Sequence, residues 1–485
     1  MAHHARRLGA AALAGLMAAT VAGTASAHDR PAVATGPSSS DAPYLVPAAS
    51  DVRLTSILTA GDAVGGYRMS GLPDGLGAYD NGDGTFTLLA NQELGAGDGL
   101  VRAHGATGSF VSRWVVDKRT LTVVSGRDQI QRLLLADGAG GWAPSATPIT
   151  RLCSATLADV SAFYDRRTRT GYDGRIFTNG EEGGTGRAFA HVVDSGDTYE
   201  LPALGHAPWE NVVPNPATGR STVVIGTADT GGGQLYVYAG TKQRAGNPVE
   251  QAGLANGQTW SVAVDGLAAE SGDVAAPEGR VRFSLVPAGT GTGFDRPEDG
   301  AWDPAHPNDF YFVTTASMTK HSRLWVLHFD DAANPGKGGT LEMLLEGPAD
   351  ATPGPKMMDN LTVDAGSVLI QEDPGGNEYL AGIWQYDIRR DTVRRVADFD
   401  PARFLPGGAV FDTIDEESSG IIPAPFLGRG AYLFDAQNHT AVADPAVVQK
   451  GQLLALTLRP GQGDHDGGPT HGGPGHGGPG HHGRG

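Results

Sequence analysis

Three times along this chain an acidic residue opens an apolar strand that is followed by a turn and a second strand: Trp209-Glu210-Asn211, Pro297-Glu298-Asp299 and Met358-Asp359-Asn360. In a β-propeller the innermost strand of every blade runs along a central channel, so equivalent strand ends meet at one mouth. Carboxylates gathered there would repel one another unless cations neutralised them, so the series reads as a metal site. Oxygen donors alone suit Ca2+, while a thiolate beside them favours a softer transition metal. The chain has one cysteine, Cys153, which is either a small buried apolar residue or such a ligand.

The elements that must position these acids read as all-β. Short runs rich in Val, Ile, Tyr, Phe and Trp recur between Asn, Asp, Gly and Pro. Examples are 110–116 turning into 120–124, 222–226 with 234–238, 310–314 with 324–329, and 368–371 with 382–388. The 72 glycines and 31 prolines suit frequent tight turns. Longer units, 210–238, 298–329 and 359–386, resemble one another. Their spacing of roughly 60 to 90 residues exceeds the common propeller repeat of about 40 to 50, so insertions within blades are expected. The expected fold is a single β-propeller, with packed sandwiches as the alternative.

At the N-terminus Arg6 and Arg7 precede an apolar run that ends near Ala22 and leads into Ala25-Ser26-Ala27. This reads as a secretory signal peptide, 1–27, and the paired arginines suggest the twin-arginine route. An Ala-, Pro- and Ser-rich lead-in is expected over 28–50, the propeller over 51–460, and a Gly/Pro/His-rich tail that cannot bury a core over 461–485. The tail histidines, from His465 to His482, lack a fixed geometry and receive no catalytic role. With 54 Asp and Glu against 36 Lys and Arg, the net charge is −18. That balance argues against nucleic acid or an anionic membrane as partner. No later segment is apolar enough to span a bilayer, and with no motif for association a secreted monomer is expected. A lone cysteine excludes intrachain disulfides, so the fold rests on its core or on metals.

Beyond these class-level readings, an ordered series of short motifs runs between about residue 70 and residue 457. It comprises Gly-Leu-Gly-Ala-Tyr-Asp-Asn-Gly-Asp-Gly-Thr-Phe at 75–86, Asn91-Gln92-Glu93, the segment 104–111, Arg151-Leu152-Cys153-Ser154, and Asn179-Gly180-Glu181-Glu182. It continues with 204–210, Arg296-Pro297-Glu298-Asp299, Asp359-Asn360-Leu361, Gln371-Glu372-Asp373-Pro374 and 415–420. In this order the motifs resemble a family of exported bacterial proteins related to the PhoX-type alkaline phosphatases.

The resemblance implies a six-bladed propeller whose channel holds iron (Fe3+) and calcium (Ca2+). It implies Cys153 as an iron ligand with Glu181 or Glu182 beside it, and Glu210, Asp229 and Glu298 as calcium ligands. Glu372 joins them as a further metal-ligand candidate. Arg296 would contact phosphate, and its alternation with Glu298 puts both on one face of an extended segment. The chain departs from the family around the cysteine, where Leu152-Cys153-Ser154-Ala155-Thr156 replaces a glycine-rich stretch, and at Trp209, where the family has histidine. The function implied is a metal-dependent phosphoesterase acting on a small phosphate ester, with metals polarising the phosphoryl oxygens. The alternative is a calcium-stabilised binding propeller or a calcium-dependent lactonase or esterase.

Other residues are weighed individually. Asp80-Asn81-Gly82-Asp83-Gly84 reads as a hairpin turn rather than a calcium loop, since no glutamate stands at the twelfth position. His104 and His206 could be ligands or structural. Glu93, Asp359, Asp373 and Glu416 are weaker site candidates, because Glu372-Asp373 could equally be a solvated turn and consecutive acids such as Asp415-Glu416-Glu417 usually face water. No Gly-x-Ser-x-Gly elbow, His-Glu-x-x-His helix or Walker loop occurs.

Overall fold

Short apolar runs without alternation are what a strand shows when both its faces are covered. A computed structural model describes residues 32–459 apart from Ala365; the expected signal peptide, the first residues of the lead-in and the tail lie outside this range. The described chain folds as a β-propeller of six blades, numbered here in chain order, each with its innermost strand on the axis. The inner strands are Pro73–Asp80, Leu152–Leu157, Trp209–Pro214, Pro297–Trp302, Met358–Asp364, and the pair Glu416–Glu417 and Ile421–Pro423. Helix is confined to short pieces such as Pro248–Gln251 and Pro401–Phe404.

Each pair of neighbouring blades shares one apolar cluster. In Asp309–Thr314, the second strand of blade four, Phe310 and Phe312 pack toward blade three while Tyr311 and Val313 pack toward blade five. The period of two thus feeds two cores, one on each side of the blade. Similar clusters join blades one and two, two and three, five and six, and six and one. The strand Val281–Pro287 also bridges the outer edges of blades three and four, making one nine-stranded sheet.

The ring closes through the N-terminal segment. Val52–Thr59 pairs with the third strand of blade six, Gln449–Leu458, so that blade is built from both ends of the described chain. The lead-in takes part as well: Val33–Thr35 runs parallel to Val52–Thr59, and Leu45–Pro47 adds an edge strand to blade five. The described part of the lead-in thus carries two short extended strands. No helix among the described residues is long and apolar enough to cross a membrane.

Closure by packing gives a stability expectation. Leu54 lies on the closing strand, is buried, and belongs to the cluster between blades five and six. Leu54→Ala is expected to lower the unfolding free energy by about 2 to 5 kcal/mol, read from denaturant unfolding monitored by tryptophan fluorescence.

Candidate metal centre

All six inner strands break register at the same place. Ladder pairing shifts between Pro73 and Leu76, Leu152 and Ala155, Trp209 and Asn211, Pro297 and Gly300, and Met358 and Leu361. In blade six the ladder lapses at 418–420, between Glu417 and Ile421. A bulge re-aims the side chain it carries, and the residue carried here is always the second of its strand: Asp74, Cys153, Glu210, Glu298, Asp359 and Glu417. Two residues earlier the backbone turns left-handed at Leu72, Arg151, Arg296 and Met357, with φ of 53°, 44°, 63° and 42°. Non-glycine residues adopt this conformation at a cost, here at four equivalent positions.

A second ring comes from the first residue beyond the second strand in blades one, two, three and five: Glu93, Glu182, Asp229 and Asp373. Blade four supplies the neutral Thr315 instead. Together the two rings wall a well of about 40 Å³ at one channel mouth, with Arg151 and Arg296 among its lining residues. Asp74, Glu93 and Cys153 each offer a ligand atom within 4.8 Å of the others. The Cys153 sulfur lies 3.0 Å from Glu182 Oε2 and 3.3 Å from Glu93 Oε1.

The two arginines each span two acids. Arg296 donates through Nε and Nη2 to both oxygens of Asp229, at 2.8 and 2.9 Å. Its Nη2 also lies 2.7 Å from Glu298 Oε1, close enough for an ion pair but without hydrogen-bond alignment. Arg151 Nη2 contacts Glu93 at 2.8 Å and Glu182 at 2.5 Å. The Arg151 side chain is 52% exposed and that of Arg296 31%, so both reach the rim.

Burial and mutual repulsion dominate the electrostatics. Desolvation, reinforced by neighbouring acids, raises the pKa of Asp74, Glu210, Glu298 and Asp359 well above the carboxylate range. Desolvation brings Glu182 to about 7 and Asp373 to about 8. Burial, followed by the charges of Glu182 and Glu93, pushes the Cys153 thiol up. Glu417 is the exception: burial would raise it, but the hydrogen bond and charge of His439 outweigh that and hold it low. His439, against its own desolvation, is raised to about 9 by Glu417.

Beneath the well the channel is plugged. Asn360 Nδ2 of blade five donates to Ser154 Oγ of blade two, the opposite blade in a ring of six. Asn91 Nδ2 donates to the Cys153 carbonyl at 2.5 Å, and Asn179 Nδ2 to Asn91 Oδ1 at 2.9 Å. Asn179 Oδ1 then accepts from His191 Nε2 at 2.8 Å, while His191 Nδ1 faces the Thr198 hydroxyl at 2.7 Å. Burial lowers His191 to about 3, so the ring is neutral and its tautomer follows from these partners. This chain of amides fixes the strand that carries the thiol, as outer partners fix metal ligands.

The structure brings together Cys153, Glu182, Glu210, Asp229, Arg296 and Glu298, along with Glu93, Asp359 and Asp373. It separates three candidates from the well. Glu181 turns away and is bound by Arg187 Nε and Nη2 at 2.7 and 2.6 Å. Glu372 accepts from the Lys356 amide and the Tyr379 hydroxyl, and Glu416 from the Ala381 amide. Each stands one residue before the acid that does face the well, Glu182, Asp373 or Glu417, and a strand sends neighbouring side chains to opposite faces. His104 and His206 are also elsewhere, His104 buried near Arg102 and Asp128, His206 beside Glu200. Trp209 packs between blades two and three, and 80–84 is the turn between two paired strands. Sequence reading passed over Asp74, Arg151, Glu417 and His439. Asp74 holds the position that Glu210, Glu298 and Asp359 hold, second in its inner strand, but the residues that follow it are glycine-rich rather than an apolar run.

The donor set fits cations. Nine carboxylates and a thiol share one well with two guanidiniums, and the carboxylates cannot all ionise without further positive charge. Those with raised pKa values hold protons in the fold. The stability this provides is fully present below the ordinary carboxylate pKa of about 4 and is lost as pH rises through 7 and 8, the values for Glu182 and Asp373. A bound cation would replace those protons. Calcium added to metal-free protein is therefore expected to raise the melting temperature more at pH 8 than at pH 5; an equal rise at both would contradict this account.

Among known proteins, no family model and no curated protein sequence matches the chain. The solved structure of Pseudomonas fluorescens PhoX in complex with vanadate, a transition state analogue, superposes with a TM-score of 0.62 at 12% identity, covering 85% of this chain and 97% of that one. The β-propeller domain of the Trilobed protease from Pyrococcus furiosus aligns at a TM-score of 0.32 and 7% identity, too distant to argue from. At 12% identity the first likeness establishes architecture: the chain has a PhoX-like propeller fold.

Proposed function

We propose that the protein is a secreted metal-dependent phosphoesterase acting on small phosphate esters at the acidic mouth. The observation that carries this reading is the convergence of one ligand-type side chain from every blade on a well that also bears two rim arginines. Resemblance to the PhoX-type phosphatases, and the vanadate held by the PhoX of similar fold, favour a phosphoryl group as the anion. Asp74, Glu93 and Cys153 would hold the softer ion, iron on the family's pattern. Glu210, Asp229 and Glu298 would hold calcium, with Asp359, Asp373 and Glu417 completing the wall. Bound there, such cations supply charge neutralisation and Lewis acidity.

The chain's own residues supply position. A well of about 40 Å³ accommodates ions or a few waters rather than an ester. The phosphoryl group would therefore sit at the rim, between Arg151 and Arg296. A guanidinium presents a planar fork to oxyanions, and both arginines, each one residue ahead of its inner strand, reach solvent. Asp229, Glu298, Glu93 and Glu182 hold the two forks in place while no anion is bound.

Protein purified without a histidine-affinity column is expected to contain iron and calcium. Glu298→Gln and Cys153→Ala should each lower metal content and abolish hydrolysis of simple phosphomonoesters; full activity in a metal-free preparation would sink the proposal. Arg296→Ala, with metal content retained, should reduce kcat/KM by about 100- to 1000-fold, and the more exposed Arg151→Ala by about tenfold.

One observation favours a second reading. The family's glycine-rich stretch around the cysteine is replaced here by Leu152-Cys153-Ser154-Ala155-Thr156, so the surroundings of the one soft donor differ from the family's pattern. A calcium-only propeller, acting as a binder or as a lactonase or esterase, follows from that. Calcium without iron on elemental analysis, and turnover of lactones but not phosphomonoesters, would select it.

A further inference from the structure

At the opposite end of the blades from the acidic mouth, a cleft of about 720 Å³ opens between blades five and six. Five arginines line it: Arg389, Arg390 and Arg394 from the outer hairpin of blade five, Arg429 from the loop entering the second strand of blade six, and Arg459 at the end of the described chain. Such a concentration is unexpected on a chain of net charge −18.

Three acids also line the cleft, and each is already committed. Asp51 takes a two-pronged contact from Arg394 at 3.1 and 2.9 Å. Asp387 accepts from Arg390 at 2.6 Å and from the amides of 389 and 390. Asp364 accepts the Tyr432 hydroxyl at 2.9 Å. Two positive charges remain in excess. Among the described residues the guanidiniums of Arg389 and Arg429 have no side-chain or backbone partner, and they stand on the two different blades that form the cleft. Gly366 and Gly428 face open space there, leaving backbone accessible beside the cations.

We propose that this cleft is a second anion site, separate from the acidic mouth, that takes a compact polyanion bearing several sulfate or phosphate groups. Guanidinium forks pair with tetrahedral oxyanions through parallel charge-assisted hydrogen bonds. A single oxyanion would occupy only part of a cleft this large and engage one blade. Several groups on one scaffold can engage both walls, on which Arg389 and Arg429 stand.

The test is calorimetric titration of sucrose octasulfate, which offers a phosphoesterase no scissile phosphate, into the full-length protein and into an Arg389→Ser/Arg429→Ser variant. Neither substitution removes an existing side-chain contact, so an unchanged melting temperature is expected, with unchanged phosphomonoester turnover. The wild type should bind with an affinity that weakens as sodium chloride is raised, and the variant at least about tenfold less tightly. Inositol hexakisphosphate titrated in parallel distinguishes a phosphate from a sulfate preference. Failure of both probes to bind the wild type, or equal affinity for the variant, would overturn the proposal.

Discussion

The constraint on which the rest depends is repulsion among carboxylates held in one buried well. Nine acids converge there with only two arginines interposed, so the surrounding scaffold must resist opening. It does so through six apolar clusters, one between each pair of blades. Because those clusters close a ring, no blade can move outward without disturbing the packing on both its sides. Strained backbone at Leu72, Arg151, Arg296 and Met357 is tolerated on the same basis, since the neighbouring strands over-determine it.

The bulge is the device that turns a barrier of packed strands into a site. An inner strand with unbroken pairing alternates its side chains between the two adjacent blades. By shifting register at the second residue, each blade aims one side chain along neither neighbour but toward the axis. Six repetitions yield a ring of donors, and the one position filled by sulfur instead of oxygen gives the ring its asymmetry. The amide plug from Asn360 to Ser154 then shuts the channel below, leaving a well with a floor.

Much of this was legible in the sequence because the fold repeats its chemistry at a fixed strand position. Glu210, Glu298 and Asp359 announced themselves by preceding obvious strands, and the all-β class followed from apolar runs that both faces of a blade require. What was not legible is parity. Acidic pairs such as Glu181-Glu182, Glu372-Asp373 and Glu416-Glu417 carry one residue toward the axis and one away, and composition cannot say which. The answer rests on where the second strand ends, and strand ends are set by tertiary pairing rather than by local preference. Asp74 escaped notice because the strand that follows it, 75–80, is glycine-rich and looks like a loop. Arg151 stood inside a recognised motif, yet its role at the rim depends on the left-handed turn that only the folded backbone reveals.

Arginine at two of the four left-handed positions has a physical logic. A well of acids intended for cations must survive before the cations arrive, and a guanidinium two residues from the ligand is a counter-ion built into the same strand. Arg296 holds Asp229 and Glu298, and Arg151 holds Glu93 and Glu182. These carboxylates are the ones a metal would claim. If cations take them over, the guanidiniums lose their partners while remaining at the rim, where an anion becomes the natural replacement. Cation and anion occupancy are then linked, and linkage is reciprocal: whatever factor by which bound cations tighten the anion, the anion tightens the cations by the same factor. On the proposed function, such a mouth would hold a phosphoryl group firmly only with cations bound, and an unloaded protein would not be occupied by free phosphate.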